Sequence, residues 1–426
     1  MKVLWSVNIP INEAAELLHI DGVPTVSWMD YLSQALKTEC DFTICFPTHE
    51  VTELKQVKGD RVTFYAIPRK SRGGYEYEPE LTAYYRQIIG EVKPDVIQQW
   101  GSEFPNCLNL LEAAEAEDML DHTMIHIQGI ISLCAKEKAF YAALPEKVVK
   151  GKSLKEYVTG NHLVGLRRKM AKQGEYEVKA FQKAKHVCGR TEFDKAFTEL
   201  TNPNIQYHYC SETLRKEFYE GKWSPDTCEK YRIFMSQGGI PYKGMHFALV
   251  ALKKVKERYP DVHLYLSGRN LLPGRPFKEW IRFSNYECYI SKLIKEYGLE
   301  ENVTFLGNLN AEQMREQYLK ANVFILPSSI DNSPNSLGEA MVLGVPVVAA
   351  DVGGVKDLCT RNEEGFLYQH DADSMLAGYI MQVFEEPIED TLKRCNAARK
   401  HAMQRFNPEK NKQDLLNIYR DLSGRE

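Results

Sequence analysis

Short, almost continuously apolar runs alternate with amphipathic stretches along this chain, and they do so twice. The first series falls at residues 2–7, 41–46, 61–67, 95–98, 124–127 and 186–188, and the second at 232–236, 263–267, 303–306, 323–326 and 346–350. Runs of this length without polar alternation read as strands buried on both faces of a parallel sheet, with the amphipathic stretches as crossover helices. Two doubly wound, Rossmann-like α/β domains are therefore predicted. Residues 207–231 carry mixed charge, Gly221, Pro225 and no clear period, and read as the linker region. The predicted division is 1–206, 207–408 and a last segment, 409–426. In that segment an amphipathic helix follows Asn407-Pro408 and is expected to cross back and brace the first domain.

Composition agrees with two domains. A chain of 426 residues exceeds what one hydrophobic core normally serves. No apolar run is long enough to span a bilayer, and residues 1–18 lack the charged and apolar regions of a secretory leader, so a cytosolic protein is expected. The ten cysteines show no C-x-x-C pair or zinc spacing, which points to reduced thiols and no structural metal. A net charge of −4 argues against a general nucleic-acid binder.

Chemistry concentrates in residues 322–354, NVFILPSSIDNSPNSLGEAMVLGVPVVAADVGG: a strand, a Pro/Ser/Asn loop, a short helix, a second strand and a Gly-Gly turn. Ser336 is placed at the helix N-cap with Glu339 three residues on, a spacing that spells either a capping box or an anion- and polyol-binding helix start. Asp331 lies eight positions before Glu339, so one carboxylate sits on the loop and the other on the first helical turn.

This string resembles the donor-site signature of retaining glycosyltransferase family 4, two glutamates separated by seven residues, with Asp331 in place of the first. Gly344, Pro346, Val347, Val348, Gly353 and Gly354 match the helix, strand and turn that follow. The resemblance, strongest over residues 230–400, implies the GT-B fold: two Rossmann-like domains facing a central cleft. It also implies transfer of a sugar from a nucleotide diphosphate donor, without metal or other cofactor. In that reading Glu339 binds the ribose or base side of the donor and Asp331 holds hydroxyls of the sugar. Amides of Asn335, Ser336 and Leu337 meet sugar and phosphate.

A second constellation, FMSQGGIPYKGMHF, sets Gly238 and Gly239 after a strand and Lys243-Gly244 before a helix. Glycines admit a ligand close to the backbone, and a cation at a helix N-terminus is unfavourable unless an anion joins it. The alternative is a solvated lysine at an ordinary turn. The resemblance assigns Lys243 to the donor diphosphate, but Gly238 stands where the family carries an arginine. Arg190 in the first half is a candidate substitute, or else a partner of Glu192 or Asp194.

In the first half, Gly22 and Pro24 precede an amphipathic helix, and Glu103 follows a buried strand. Gly22 reads as a cleft loop or a surface turn, and Glu103 as an acceptor ligand or a capping acid. Gln128-Gly129 occupies the family's His-Gly position, which replaces an imidazole by an amide that only donates and accepts hydrogen bonds. His126 reads as a core histidine.

Residues 136–185 hold thirteen Lys/Arg against five Glu. That belt is either a solvated face or a peripheral contact with anionic membrane through Arg167, Arg168, Lys169 and Lys172 beside Leu163, Val164, Leu166 and Met170. The expected activity is hexosyl transfer to a glycan or lipid-linked acceptor, as in bacterial surface polysaccharide synthesis. The alternatives are a nucleotide-sugar epimerase or phosphorylase on the same fold, and a non-catalytic nucleotide-sugar-binding subunit.

Overall fold

The computed structural model describes residues 1–20, 27–274 and 276–424. The chain divides into two compact units. The first comprises Met1–Leu133, Lys169–Arg215 and Phe406–Glu426, and the second Cys134–Arg168 and Lys216–Arg405.

The first unit is built on β1 (Lys2–Ser6), β2 (Asp41–Thr48), β3 (Lys55–Lys58), β4 (Val62–Pro68), β5 (Val96–Trp100), β6 (Thr123–His126), β7 (His186–Gly189) and β8 (Gln206–Tyr209). They form one sheet in the order β3-β4-β2-β1-β5-β6-β7-β8. Only the β3–β4 pair is antiparallel. β3 is a polar edge hairpin strand, and β8 is a partly exposed edge strand inside the stretch read as linker; neither shows the apolar run that marks the inner strands. The second unit is built on β9 (Arg232–Met235), β10 (His263–Leu266), β11 (Val303–Phe305), β12 (Val323–Leu326), β13 (Val347–Ala350) and β14 (Phe366–Tyr368). Its order is β11-β10-β9-β12-β13-β14, all parallel. The architecture is that of two Rossmann-like sheets flanked by helices.

The last helix, Pro408–Ser423, belongs to the first unit. Asn407 caps it by accepting from the Lys410 N–H at 2.9 Å, and Pro408 fits the first helical position, where no N–H is required. Its apolar face, Leu415, Leu416, Tyr419 and Leu422, joins Val3, Trp5, Phe42 and Trp100 in one core cluster. At the centre Trp5 Nε1 donates to the Tyr419 hydroxyl at 2.7 Å, and that hydroxyl donates to Gln98 Oε1. The buried amide of Gln98 is thereby satisfied, as is required of a polar side chain on an inner strand.

Residues 134–168 group with the second unit, whereas the sequence pattern places them in the first. His246 Nε2 bonds the Ala142 carbonyl at 2.7 Å, Asn285 Nδ2 donates to Val148 O at 2.7 Å, and Ser329 Oγ donates to Ala139 O at 2.6 Å. Phe140 is buried within 6.2 Å of the Tyr242 ring. The division falls inside the helix Leu163–Lys183, whose continuous amphipathic pattern gives no sign of it.

That helix carries much of the basic belt. Leu163 is buried, and Arg167 is occupied by the Tyr141 hydroxyl, the Ala135 carbonyl and Glu137. Arg167 is therefore not a solvent-directed cation. Among the described residues no helix is long and apolar enough to cross a membrane.

Candidate functional site

In the second sheet the chain winds one way from β9 to β10 and β11, and the other way from β12 to β13 and β14, so the strand order reverses between β9 and β12. Ligands of open α/β sheets bind outside the carboxyl ends of the strands at such a point. Beyond β9, Gly238 and Gly239 lead into the turn Pro241–Lys243, Gly244 and the helix Met245–Arg258. Beyond β12, residues 327–334 lead into the helix Asn335–Leu343.

Two glycines fix how these loops meet. Gly244 has φ +78, and a Cβ on it would lie 1.8 Å from the Pro327 carbonyl oxygen. Only glycine permits both the left-handed backbone and that approach. Beside it, Ser329 N–H donates to Tyr242 O at 2.8 Å. Gly353, φ +53, lies so that a Cβ would fall 1.9 Å from Asp331 O, and Gly354 N–H donates to that same oxygen at 3.2 Å. The Gly-Gly turn after β13 is thus the seat of the Asp331 backbone.

The outcome is an ion pair. Lys243 Nζ lies 2.9 Å from Asp331 Oδ2, with side-chain exposures of 21% and 13%, and Ser328 Oγ donates to the same carboxylate oxygen at 3.2 Å. Burial alone would lower the Lys243 ammonium; the Asp331 charge and hydrogen bond outweigh it and hold the ammonium above its ordinary value. The anion that a lysine at a helix start requires is supplied from within the unit.

Glu339 is buried. The helix begins two residues earlier than the sequence suggests: Pro334 occupies the N-cap position without a side-chain cap, so Ser336 is in the first turn and no capping box with Glu339 forms. The Pro334 carbonyl opens the helix, accepting from Leu337 N–H at 3.0 Å and from Gly338 N–H at 3.3 Å. The first of these bonds also occupies the Leu337 amide expected to face sugar or phosphate, leaving the amides of Asn335 and Ser336 as the first two of the helix. Glu339 instead receives the hydroxyl of Tyr318 at 3.3 Å, and the same hydroxyl lies 3.0 Å from Ser336 O. Tyr318, fully buried on the helix Ala311–Lys320, and Ser328 are the members of this site that the motif does not reveal. Ser328 is readable as a hydroxyl three residues before Asp331; Tyr318 leaves no local signal. Gly238 packs against Leu266 and Met245, whereas Gly239 opens to solvent.

The remaining candidates lie in the first unit, at the carboxyl ends of β5, β6 and β7. Glu103 Oε1 accepts from Gly129 N–H at 2.8 Å. Burial pushes Glu103 up to about 7, opposed by N–H groups of its own residue and Gly129 and reinforced by Glu177. Glu177, itself pushed to about 7 by burial, accepts from Ser102 Oγ at 2.8 Å, Ile131 N–H at 3.0 Å and Ser132 N–H at 2.8 Å. Arg190 donates to the Gln128 carbonyl at 3.1 Å and forms a buried ion pair with Glu212. The guanidinium of Arg190, offered by the sequence as a substitute phosphate cation, is engaged inside the first unit with Glu212, and the Arg190 N–H donates to Asp194 Oδ2 at 3.0 Å. His126 is a core side chain, bonded through Nδ1 to Gln98 and stacked on Trp100. Gly22 lies outside the described residues. Among the described residues no group of three or more His, Cys, Asp or Glu is arranged to hold a metal ion.

Residues 220–405, which hold all of the Lys243–Asp331–Glu339 site, match the family Glycosyl transferases group 1. Among curated proteins, the D-inositol 3-phosphate glycosyltransferase of Corynebacterium urealyticum is 27% identical over 180 residues, 42% of this chain and 40% of that protein. The chain thus spans less than half the length of such relatives. Sucrose-phosphate synthase from Thermosynechococcus elongatus superposes with a TM-score of 0.69 at 15% identity, covering 99% of each chain. Anabaena HepE, solved in complex with UDP, gives a TM-score of 0.64 at 17% identity over 98% of this chain and 99% of that one. The fold is GT-B, and the resemblance read from residues 322–354 holds at the level of group 1 glycosyltransferases.

Proposed function

We propose that this protein is a retaining glycosyltransferase that moves a hexosyl unit from a nucleotide diphosphate sugar to a glycan or lipid-linked acceptor, without a metal ion. One observation carries the reading: the Lys243–Asp331 pair stands at the strand-order reversal of a unit whose sequence matches group 1 glycosyltransferases. Asp331 presents a fixed carboxylate to sugar hydroxyls, and Glu339, oriented by Tyr318, takes the ribose or base side. The Lys243 ammonium, together with the amides of Asn335 and Ser336, faces the diphosphate. Negative charge grows on the leaving diphosphate in the transition state, and each donor held at that spot lowers the barrier by a few kcal/mol. The departing phosphate itself receives the acceptor proton, so Gln128 at the family's histidine position is no obstacle. Glu103 and Gln128 in the first unit are assigned to the acceptor.

The test is a screen of UDP-, GDP- and ADP-sugars for donor hydrolysis and transfer, repeated with EDTA. Nucleotide diphosphate release that survives EDTA and gives a product of unchanged anomeric configuration is expected. Absence of turnover with every donor, or activity lost to EDTA and restored by Mn²⁺, overturns the reading.

A further inference from the structure

The second unit carries an exposed apolar patch that the transfer site does not use. Tyr157 and Val158 are each 78% exposed on the short helix Leu154–Thr159. Phe277, Trp280 and Ile281 are 69%, 44% and 41% exposed on the helix Pro276–Arg282, and the two helices lie against each other. Soluble monomers scatter such side chains singly; five together, two of them large aromatics beside a tyrosine, mark a surface that meets something apolar.

The patch is not a fraying end. Ser153 and Glu156 form a complete capping box at the start of the first helix. Lys155 from that helix pairs with Glu287 at 3.7 Å, and Glu287 also closes the capping box of the helix Asn285–Glu296, which follows the second. Asn285 in turn donates to Val148 O. The first helix is therefore fastened to the helix that follows the second, and the second lies against the first with Phe277, Trp280 and Ile281 exposed.

Charge selects the occupant. Lys152, Lys278 and Arg282 are exposed at the patch, and none has an acidic partner among the described residues. Glu156 is buried in its cap, and Glu287 is already shared by Lys155 and Arg269. Aromatic side chains interleaved with exposed Lys and Arg fit the boundary between headgroups and acyl chains, where rings enter the interface and cations meet lipid phosphates.

We infer that the helix pair Leu154–Thr159 and Pro276–Arg282 is a docking surface for an anionic phospholipid bilayer. This differs from the basic helix 163–183, whose Leu163 and Arg167 are engaged internally. It stands on exposure and charge alone, independently of the transfer reading.

The experiment uses the whole chain with vesicles of phosphatidylcholine alone or mixed with phosphatidylserine. Co-sedimentation with the mixed vesicles only is expected, weakened at high salt because exposed charge is screened. Lys278→Gln with Arg282→Gln should lower that binding about tenfold, and Phe277→Ser with Trp280→Ser should abolish it, with unchanged circular dichroism. The sequence has five tryptophans, of which Trp5, Trp100 and Trp223 are buried, so the assay uses a Trp28→Phe background in which quenching by brominated lipid reports Trp280; Trp280→Phe in that background should still bind but lose the quenching. No binding, equal binding to both vesicle types, or binding without loss of quenching in Trp280→Phe overturns the proposal. So does a dimer by light scattering that Phe277→Ser with Trp280→Ser dissociates, which would make the patch an interface between copies.

Discussion

Lys243 and Asp331, 88 residues apart in sequence, meet at 2.9 Å because two glycines, Gly244 and Gly353, each let one backbone approach another's carbonyl oxygen. The site thus holds its cation and its anion as a pair. Under the proposed function, a donor sugar diphosphate would offer the ammonium phosphate oxygens and the carboxylate hydroxyls, so both groups would exchange one partner for another without being stranded.

Lys243→Ala is expected to lower kcat/KM by about two to three orders of magnitude, the range for loss of one fixed donor to developing negative charge. Asp331→Asn should act mainly through the sugar and leave nucleotide diphosphate affinity nearly intact. Because the pair is mostly buried, removing one partner strands the other, and each change should also cost about 1–3 kcal/mol of stability, so activities are compared well below the lowered Tm. Equal loss of nucleotide affinity in both variants, measured by calorimetry, would contradict the separate roles.

Glu339→Gln should sharply lower kcat/KM with little change in Tm, since the amide oxygen still accepts from Tyr318. Tyr318→Phe tests the positioning role. Removing its hydroxyl takes one hydrogen bond from the Glu339 carboxylate, and KM for the donor should rise about tenfold while the product is unchanged. Unaltered kinetics in Tyr318→Phe would leave that hydrogen bond purely structural.

Gly353→Ala is expected to reduce activity at least tenfold, because the new Cβ would displace the Asp331 backbone. Gly344→Ala is the control: φ is likewise positive, at +78, but the nearest atom to its Cβ is the flexible Arg399 side chain at 3.6 Å. Both should lose stability from left-handed strain. Only the first should lose activity beyond what its lower Tm explains.

The inner strands were legible because their buried, unalternating runs have one good explanation in a parallel sheet. β3 and β8 were not, being polar or half-exposed edges, and β14 is three residues long. The candidate site was legible where side-chain identity singles residues out: Asp331, Glu339 and Lys243, picked from the sequence, all fall beyond the carboxyl ends of β9 and β12 in the second unit. It was illegible where the backbone does the bonding. The carbonyls of Ala139, Ala142 and Val148 that fasten residues 134–168 to the second unit have no residue-type signature, and the Pro334 carbonyl replaced a cap that Ser336 spells convincingly. Arg190 shows the limit of charge reading: its buried partner, Glu212, is 22 residues away.

Tyr419→Phe probes the last helix. It strips the acceptor from Trp5 Nε1 and the donor from Gln98 Oε1, both buried, and should cost about 1–3 kcal/mol, read as a lower denaturant midpoint at unchanged slope. Wild-type stability would mean that both groups find other partners.

Glu103 gives the fold a pH dependence of defined sign. Its carboxyl is held at about 7 in the folded protein, above the model-peptide range of about 4.3, so between these values the native state binds the proton and the unfolded state releases it. Stability from this group is therefore present at low pH and falls as pH rises from about 4.3 through 7. Glu103→Gln removes the ionisation while its amide oxygen still accepts from Gly129 N–H. Relative to wild type, the variant should gain Tm as pH is raised from 5 to 8, with most of the difference appearing below pH 7. Parallel Tm–pH curves for the two proteins would show that Glu103 ionises in the fold as it does in water.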